Sequence, residues 1–146
     1  MNLIIKLGVL ILLFSCCKDK DKSPTPVKPY DNTLAATWKM VSVTTKNGTV
    51  TTNPTDQELF TTFQKDTNTL SFEINEAIGG VGTYTLSSGN GIKLTIKRSD
   101  FGGWPNGPWL DLYLEKMNKA SSYQINENQL KIIATEGSTL LFSKQQ

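Results

Sequence analysis

Apolar side chains recur at every second position in a series of short runs along most of this chain. Strict alternation gives an extended segment one face that packs on a core, so each run predicts a half-buried β-strand. The runs are carried by Trp38, Met40 or Val41, and Val43; Leu70, Phe72 and Ile74; Tyr84 and Leu86; Ile92, Leu94 and Ile96; Tyr123 and Ile125; Leu130 and Ile132; and Leu140 and Phe142. Turn-forming residues such as Asn47-Gly48 separate these runs and are typical of tight hairpins. Because parallel neighbours need long crossovers, the sheet is predicted to be antiparallel.

One segment, residues 108–121, breaks this rhythm and has the spacing of a helix. It opens on Pro108 and places Asp111 in its first turn, both of which suit a helix N-terminus. Its apolar stripe at i, i+3, i+4 and i+7 comprises Leu110, Tyr113, Leu114 and Met117. We expect this helix to lie on the sheet or to plug one end of a barrel. A second, shorter helical turn is predicted over residues 55–63, where Leu59, Phe60 and Phe63 would share a face.

Length and composition favour one mostly β domain. The chain has 146 residues, of which 38% are hydrophobic and 19% charged, which suits one globular domain. Residues 34–146 are predicted to form a single antiparallel, barrel-like curved sheet with one helix packed on it or capping it. Both cysteines precede this domain, so it can form no internal disulfide and depends on packing for its stability.

The first fifteen residues have the order of a bacterial secretion signal. Lys6 precedes a run of uncharged residues, and a small residue, Ser15, stands directly before Cys16. The run is too short to cross a bilayer comfortably. Leu13-Phe14-Ser15-Cys16 resembles the lipobox of bacterial lipoproteins, in which the cysteine is acylated and becomes the first mature residue. We therefore expect lipidation at Cys16; an ordinary secretory signal or a membrane-retained helix is the alternative.

Residues 16–33 are predicted to be the lipidated cysteine and a flexible linker. Alternating charges and the prolines Pro24, Pro26 and Pro29 favour an extended, solvated spacer that cannot bury enough surface to fold. The predicted partner of the anchor is the membrane, and the predicted location is the cell envelope, attached to the outer membrane on its periplasmic face or at the cell surface. The Lys-Asp run after Cys17 resembles lipoprotein sorting signals, or is a plain linker.

Charge and residue types exclude several functions. Fifteen Lys and Arg residues face thirteen Asp and Glu residues, so the concentrated positive charge of a nucleic-acid-binding protein is missing. The chain has no histidine, which excludes His-based triads and His metal ligands. The acidic pair Asp111 and Glu115 lies at i, i+4 beside lysines, as on a solvated helix face. We predict no enzyme activity, no catalytic residue, no cofactor and no metal site.

The glycine-rich run of residues 79–82 is predicted to be a bulge or tight turn. A phosphate-binding loop would have to lead into a helix, whereas the next segment here is a strand.

The loop of residues 97–109 is the candidate binding surface. It combines aromatic side chains with glycines and prolines, a composition that holds no regular structure and is found at binding loops. The candidate contacts for a ligand or partner are Arg98, Asp100, Phe101, Trp104 and Trp109. The alternative is that Phe101 and Trp109 cap the end of the barrel while the glycines only turn the chain.

The order of these elements resembles the META/HslJ-like lipoprotein family. The resemblance rests on Thr37-Trp38 in the first strand, Leu70-Ser71-Phe72 followed by Gly82-Thr83-Tyr84, and Pro108-Trp109-Leu110-Asp111 followed by three strands. It implies a domain over residues 34–146 and an envelope protein with no ascribed catalytic residues. We expect a non-catalytic role, in binding a protein or a small envelope ligand or in envelope integrity under stress. A lipocalin-like carrier of a small apolar ligand is the alternative.

Overall fold

The described residues form an antiparallel β-barrel with one helix. A computed structural model describes residues 34–99 and 107–146. Its elements are β1 (Thr37–Thr44), β2 (Val50–Thr52), β3 (Leu59–Gln64), β4 (Thr69–Ile74), β5 (Ala77–Ser87), β6 (Gly91–Arg98), α1 (Pro108–Asn118), β7 (Ala120–Asn126), β8 (Gln129–Ala134) and β9 (Thr139–Lys144). A 3₁₀ turn at Ser88–Asn90 joins β5 to β6. The predicted fold class is confirmed.

Eight of the strands close the barrel, each pairing with the strands before and after it. Neighbours run β1, β3, β4, β5, β6, β7, β8 and β9, and β9 pairs back onto β1. The short strand β2 lies in line with β3 on the same edge of β1: residues 37–39 of β1 pair with β3, and residues 42–44 pair with β2. Every pairing is antiparallel, as the hairpin signals predict.

Helix α1 covers one end of the barrel and sends its apolar stripe into the core. Trp109, Leu110, Tyr113 and Met117 are buried, and Leu114 is half-buried. The Tyr113 hydroxyl lies 2.9 Å from Thr61 Oγ1, and its ring lies 5.4 Å from that of Phe72. Burying one such side chain contributes roughly 1.5–3 kcal/mol, so the helix is an integral part of the core. The predicted helix is confirmed, although it ends at Asn118 and not at residue 121, because β7 begins at Ala120. Of the two predicted placements, on the sheet or across one end of the barrel, the helix takes the second.

The residues before β1 cover the opposite end. Trp38 Nε1 donates a hydrogen bond to the carbonyl of Leu34 at 3.0 Å, and both side chains are fully buried. The backbone N–H of Phe63 donates to the carbonyl of Ala36 at 3.1 Å. The N-terminal segment therefore joins the barrel at the end away from α1.

The predicted helical turn over residues 55–63 is wrong, because β3 occupies most of that segment. Leu59, Thr61 and Phe63 point inward and are buried, whereas Phe60 lies on the outer face. One of the three inward positions of β3 is the polar residue Thr61. The apolar residues of this segment therefore did not show the period of two that is typical of a strand.

The glycines of β5 form the predicted bulge. Between Phe72 and Glu73 of β4 the register skips Gly79 of β5, which leaves one extra residue in that strand. The ring of Phe72 packs so closely that a Cβ on Gly79 would lie 2.3 Å from its Cε2 atom. Any side chain there would displace the ring.

Candidate functional site

Two of the predicted binding residues lie at the helix-covered end of the barrel. Arg98 ends β6 and is half-buried, and Trp109 lies in the first turn of α1 and is only 4% exposed. The Trp109 indole nitrogen is shielded from solvent and has no hydrogen-bond partner among the described residues. Asp100, Phe101 and Trp104 lie outside the described residues, and so does Cys16.

The inside of the barrel is filled by large side chains. Trp38, Phe72, Tyr84, Tyr113 and Phe142 are all at most 1% exposed. The Tyr84 hydroxyl donates to the carbonyl of Gln64 at 3.0 Å, and its ring meets Phe63 edge-on at 5.4 Å between centroids. An eight-stranded barrel is only wide enough for its own side chains or one small ligand. Here the aromatic side chains take that space.

A cleft of about 630 Å³ opens between the C-terminal half of α1 and two turns of the sheet. Its lining residues are Thr45, Lys46, Asn47, Thr49, Lys116, Glu136 and Ser138. The Lys116 ammonium lies 3.1 Å from Glu136 and 3.0 Å from Glu115, and Lys119 lies 2.7 Å from Glu115. The Lys116–Glu136 pair connects α1 to the turn between β8 and β9, whereas the two pairs of Glu115 lie within the helix and its C-cap.

The charges of this cleft stabilise one another. The hydrogen bonds that Lys119 and Lys116 donate to the Glu115 carboxylate lower its pKa, and the hydrogen bonds that Lys116 donates to Glu115 and Glu136 raise the pKa of Lys116. Burial alone would raise the pKa of Glu136, but its own backbone N–H and the Lys116 ammonium together bring it below the ordinary value. Each carboxylate is therefore held ionised in an ion pair, as expected of a structural contact.

A second cavity, of about 580 Å³, lies on the outer face of β4, β5 and β6. We call it the outer groove; it is lined by Gln64, Thr69, Leu70, Ser71, Val81, Gly82, Thr83, Thr95 and Lys97. The strand register sets these side chains in two rows, Thr69–Thr83–Thr95 and Ser71–Val81–Lys97. Sequence reasoning missed this groove. The sequence does show hydroxyl-bearing residues at the outward positions of these strands. The groove could not be predicted from them, because the alternation within one strand does not show which strands are its neighbours.

Neither a metal-binding cluster nor a membrane-spanning helix occurs among the described residues. In residues 34–99 and 107–146, three or more His, Cys, Asp or Glu side chains never come together as a metal site would require. Within the same residues, the helical segments are too short and too polar to cross a bilayer.

Comparisons with known proteins show a likeness of fold. No family model matches the chain, and no curated protein matches it. A protein from Burkholderia xenovorans solved by NMR aligns with a TM-score of 0.60 at 19% identity, covering 84% of this chain and 92% of its own. A DUF4847 family protein from Bacteroides vulgatus ATCC 8482, solved by crystallography, aligns with a TM-score of 0.56 at 17% identity, covering 77% and 96%. The barrel also has the general shape of lipocalin-like barrels.

Proposed function

We propose that this chain is a lipid-anchored protein of the bacterial envelope that acts by binding, without catalysis, through the outside of its barrel. The observation that carries the proposal is the filled interior. Five aromatic side chains at most 1% exposed occupy the space where a lipocalin-like carrier would hold its ligand. A partner or ligand is therefore bound on the outer surface, either at the helix-covered end or along the strands.

The anchor in this proposal is the acylated Cys16, supported by Ser15 before it and by the charged, proline-containing spacer after it. That spacer leads to Leu34, whose carbonyl accepts the Trp38 indole hydrogen bond at the end opposite α1. In this arrangement the helix-covered end and its cleft point away from the bilayer, towards other envelope components. Two acyl chains or more make such an anchoring stable.

The anchor is tested by labelling the producing cells with an alkyne analogue of palmitate. Replacement of Cys16 by serine should abolish labelling and release the protein from the membrane fraction. Replacement of the adjacent Cys17 by serine is the matched control and should leave both unchanged. Full labelling of the Cys16→Ser protein would contradict the proposal.

The second candidate function is a lipocalin-like carrier, favoured by the barrel shape alone. It is tested on the full chain, purified from its own membrane and extracted with organic solvent. Mass spectrometry of the extract should show no apolar molecule in a one-to-one ratio with the protein, beyond the covalent acyl chains. A stoichiometric, non-covalent apolar compound would favour the carrier.

We also propose that the domain belongs to the META/HslJ-like family. The support is the order of elements, since α1 lies between β6 and the last three strands, and Thr37-Trp38 opens the first of the barrel strands. Superposition on a solved META domain tests this assignment. A different strand order around the barrel would overturn it.

A further inference from the structure

We propose that the outer groove binds an acidic polysaccharide whose sugar units carry carboxylates. The inference deepens the proposed function, on which it rests in taking the outside of the barrel as the binding surface. The volume of the outer groove, about 580 Å³, lies within the range of roughly 300–1,000 Å³ that is usual for ligand sites.

The shape of the groove follows from the register of three strands. Its two walls are cross-strand rows two residues apart, a spacing of about 6.6 Å along a strand. Between them, Leu70 pairs with Gly82, and Gly82 pairs with Ile96. A Cβ on Gly82 would lie 2.5 Å from the carbonyl oxygen of Thr95, so glycine lets β5 approach β6 closely at the floor.

The walls present groups that suit a sugar. The hydroxyls of Ser71, Thr83 and Thr95 make no side-chain hydrogen bond within the part of the chain that the structure describes. Each can both donate and accept, as sugar hydroxyls do. Val81 lies between them with 59% of its surface exposed, an apolar contact for the C–H face of a sugar ring. A hydroxyl-rich ring is thus matched on its polar edge and on its apolar face.

The charge of the groove selects an anion. Lys97 lines it, and Lys93 lies on the same outer face of β6, opposite Thr85. No acidic side chain lines the groove, and neither lysine forms an ion pair within the described residues. The lysines are four residues apart, about 13 Å along a strand, too far to share one phosphate. Carboxylates on separate sugar units can reach both.

The test is calorimetric titration of the full lipidated chain, in detergent micelles, with hexagalacturonate. Maltohexaose, which has no carboxylate, is the matched neutral oligomer. We expect hexagalacturonate to bind and maltohexaose to bind at least 10-fold more weakly. Lys97→Gln should weaken the binding of hexagalacturonate about 10-fold, because the variant loses a charge-assisted hydrogen bond to a carboxylate. Lys131→Gln, at an exposed position of β8 outside the groove, should have no effect.

A second variant, Thr83→Val, removes one hydroxyl at nearly constant shape and should also weaken binding. Thermal unfolding of each variant excludes a loss of fold. Equal binding of the two oligomers, an unchanged affinity in Lys97→Gln, or displacement by millimolar inorganic phosphate would each overturn the carboxylate-sugar assignment. None of these results would affect the anchor or the filled barrel, which the palmitate labelling and the solvent extraction decide separately.

Discussion

The side-chain amide of Asn118 pairs with the backbone of Ile96 as a neighbouring strand would. Its Oδ1 accepts the Ile96 N–H at 2.8 Å, and its Nδ2 donates to the Ile96 carbonyl at 3.2 Å. Ile96 lies in β6, at the seam where β6 meets β7. Among the described residues, these two strands share one residue pair, Gly91 with Ser122. The last residue of α1 therefore supplies hydrogen bonds that the next strand does not.

Replacement of Asn118 by alanine should lower the free energy of unfolding by about 1–3 kcal/mol, since both Ile96 backbone groups would lose their partners in a half-buried place. Urea unfolding measures the change. Gln124→Ala, at an exposed position of β7, is the control and should change stability by less than about 0.5 kcal/mol. Equal effects of the two substitutions would show that the amide does not close the seam.

The hydroxyl pair of Tyr113 and Thr61, at 2.9 Å, connects the helix to the inside of β3. Burial raises the pKa of the Tyr113 phenol far above its ordinary value, so the group is neutral at neutral pH. Tyr113→Phe leaves the Thr61 hydroxyl buried without a partner, and should cost about 1–3 kcal/mol.

The double substitution Tyr113→Phe with Thr61→Val removes both polar groups at nearly constant shape, so it should be close to the wild type in stability. The four proteins form a double-mutant cycle measured by urea unfolding. Simple additivity of the two single losses would show that the hydroxyls do not interact.

The Lys116–Glu136 ion pair predicts a contact between α1 and the turn before β9 that weakens in acid. Because the pKa of Glu136 is lower in the folded protein, its stabilising effect is complete above the unfolded value of about 4.3. That effect is lost as the pH falls through the folded value. Glu136→Gln should therefore flatten the fall in unfolding free energy between about pH 5 and pH 3.

The comparison for this prediction is Glu127→Gln, which removes a carboxylate from the exposed turn between β7 and β8. Unfolding free energies of the wild type and both variants are measured across the acid range. An identical slope for wild type and Glu136→Gln would mean that the Lys116–Glu136 pair does not stabilise the fold.

The turn between β4 and β5 holds two non-glycine residues in the left-handed region, Asn75 at φ 49° and Glu76 at φ 66°. Two-residue hairpins of this kind favour Asn-Gly, and a side chain costs roughly 1–2 kcal/mol in that region. Glu76→Gly should raise the unfolding free energy by about 0.5–1 kcal/mol, after the greater flexibility of unfolded glycine is subtracted.

Glu76→Ala separates this backbone effect from the loss of charge, because alanine has the same steric penalty as glutamate. It should leave the unfolding free energy nearly unchanged. If the alanine variant gains as much stability as the glycine variant, the charge and not the backbone conformation is responsible.

The sequence by itself determined most of the strands and the helix. Residues 92–96 alternate with a period of two, and the stripe from Leu110 to Met117 has the helical period, so each local pattern has one face that must be buried. The antiparallel arrangement followed from the short turns, which leave no room for crossovers.

Only the tertiary structure decided how these elements meet. That residues 59–64 form a strand depends on Thr61, whose inward hydroxyl is acceptable only because Tyr113, fifty-two positions later, meets it. The seam closed by Asn118 and the outer groove both depend on which strands are neighbours and in which register. A local pattern specifies the buried face of each segment, but the partner of that face is set by closure of the whole barrel, which no single segment encodes.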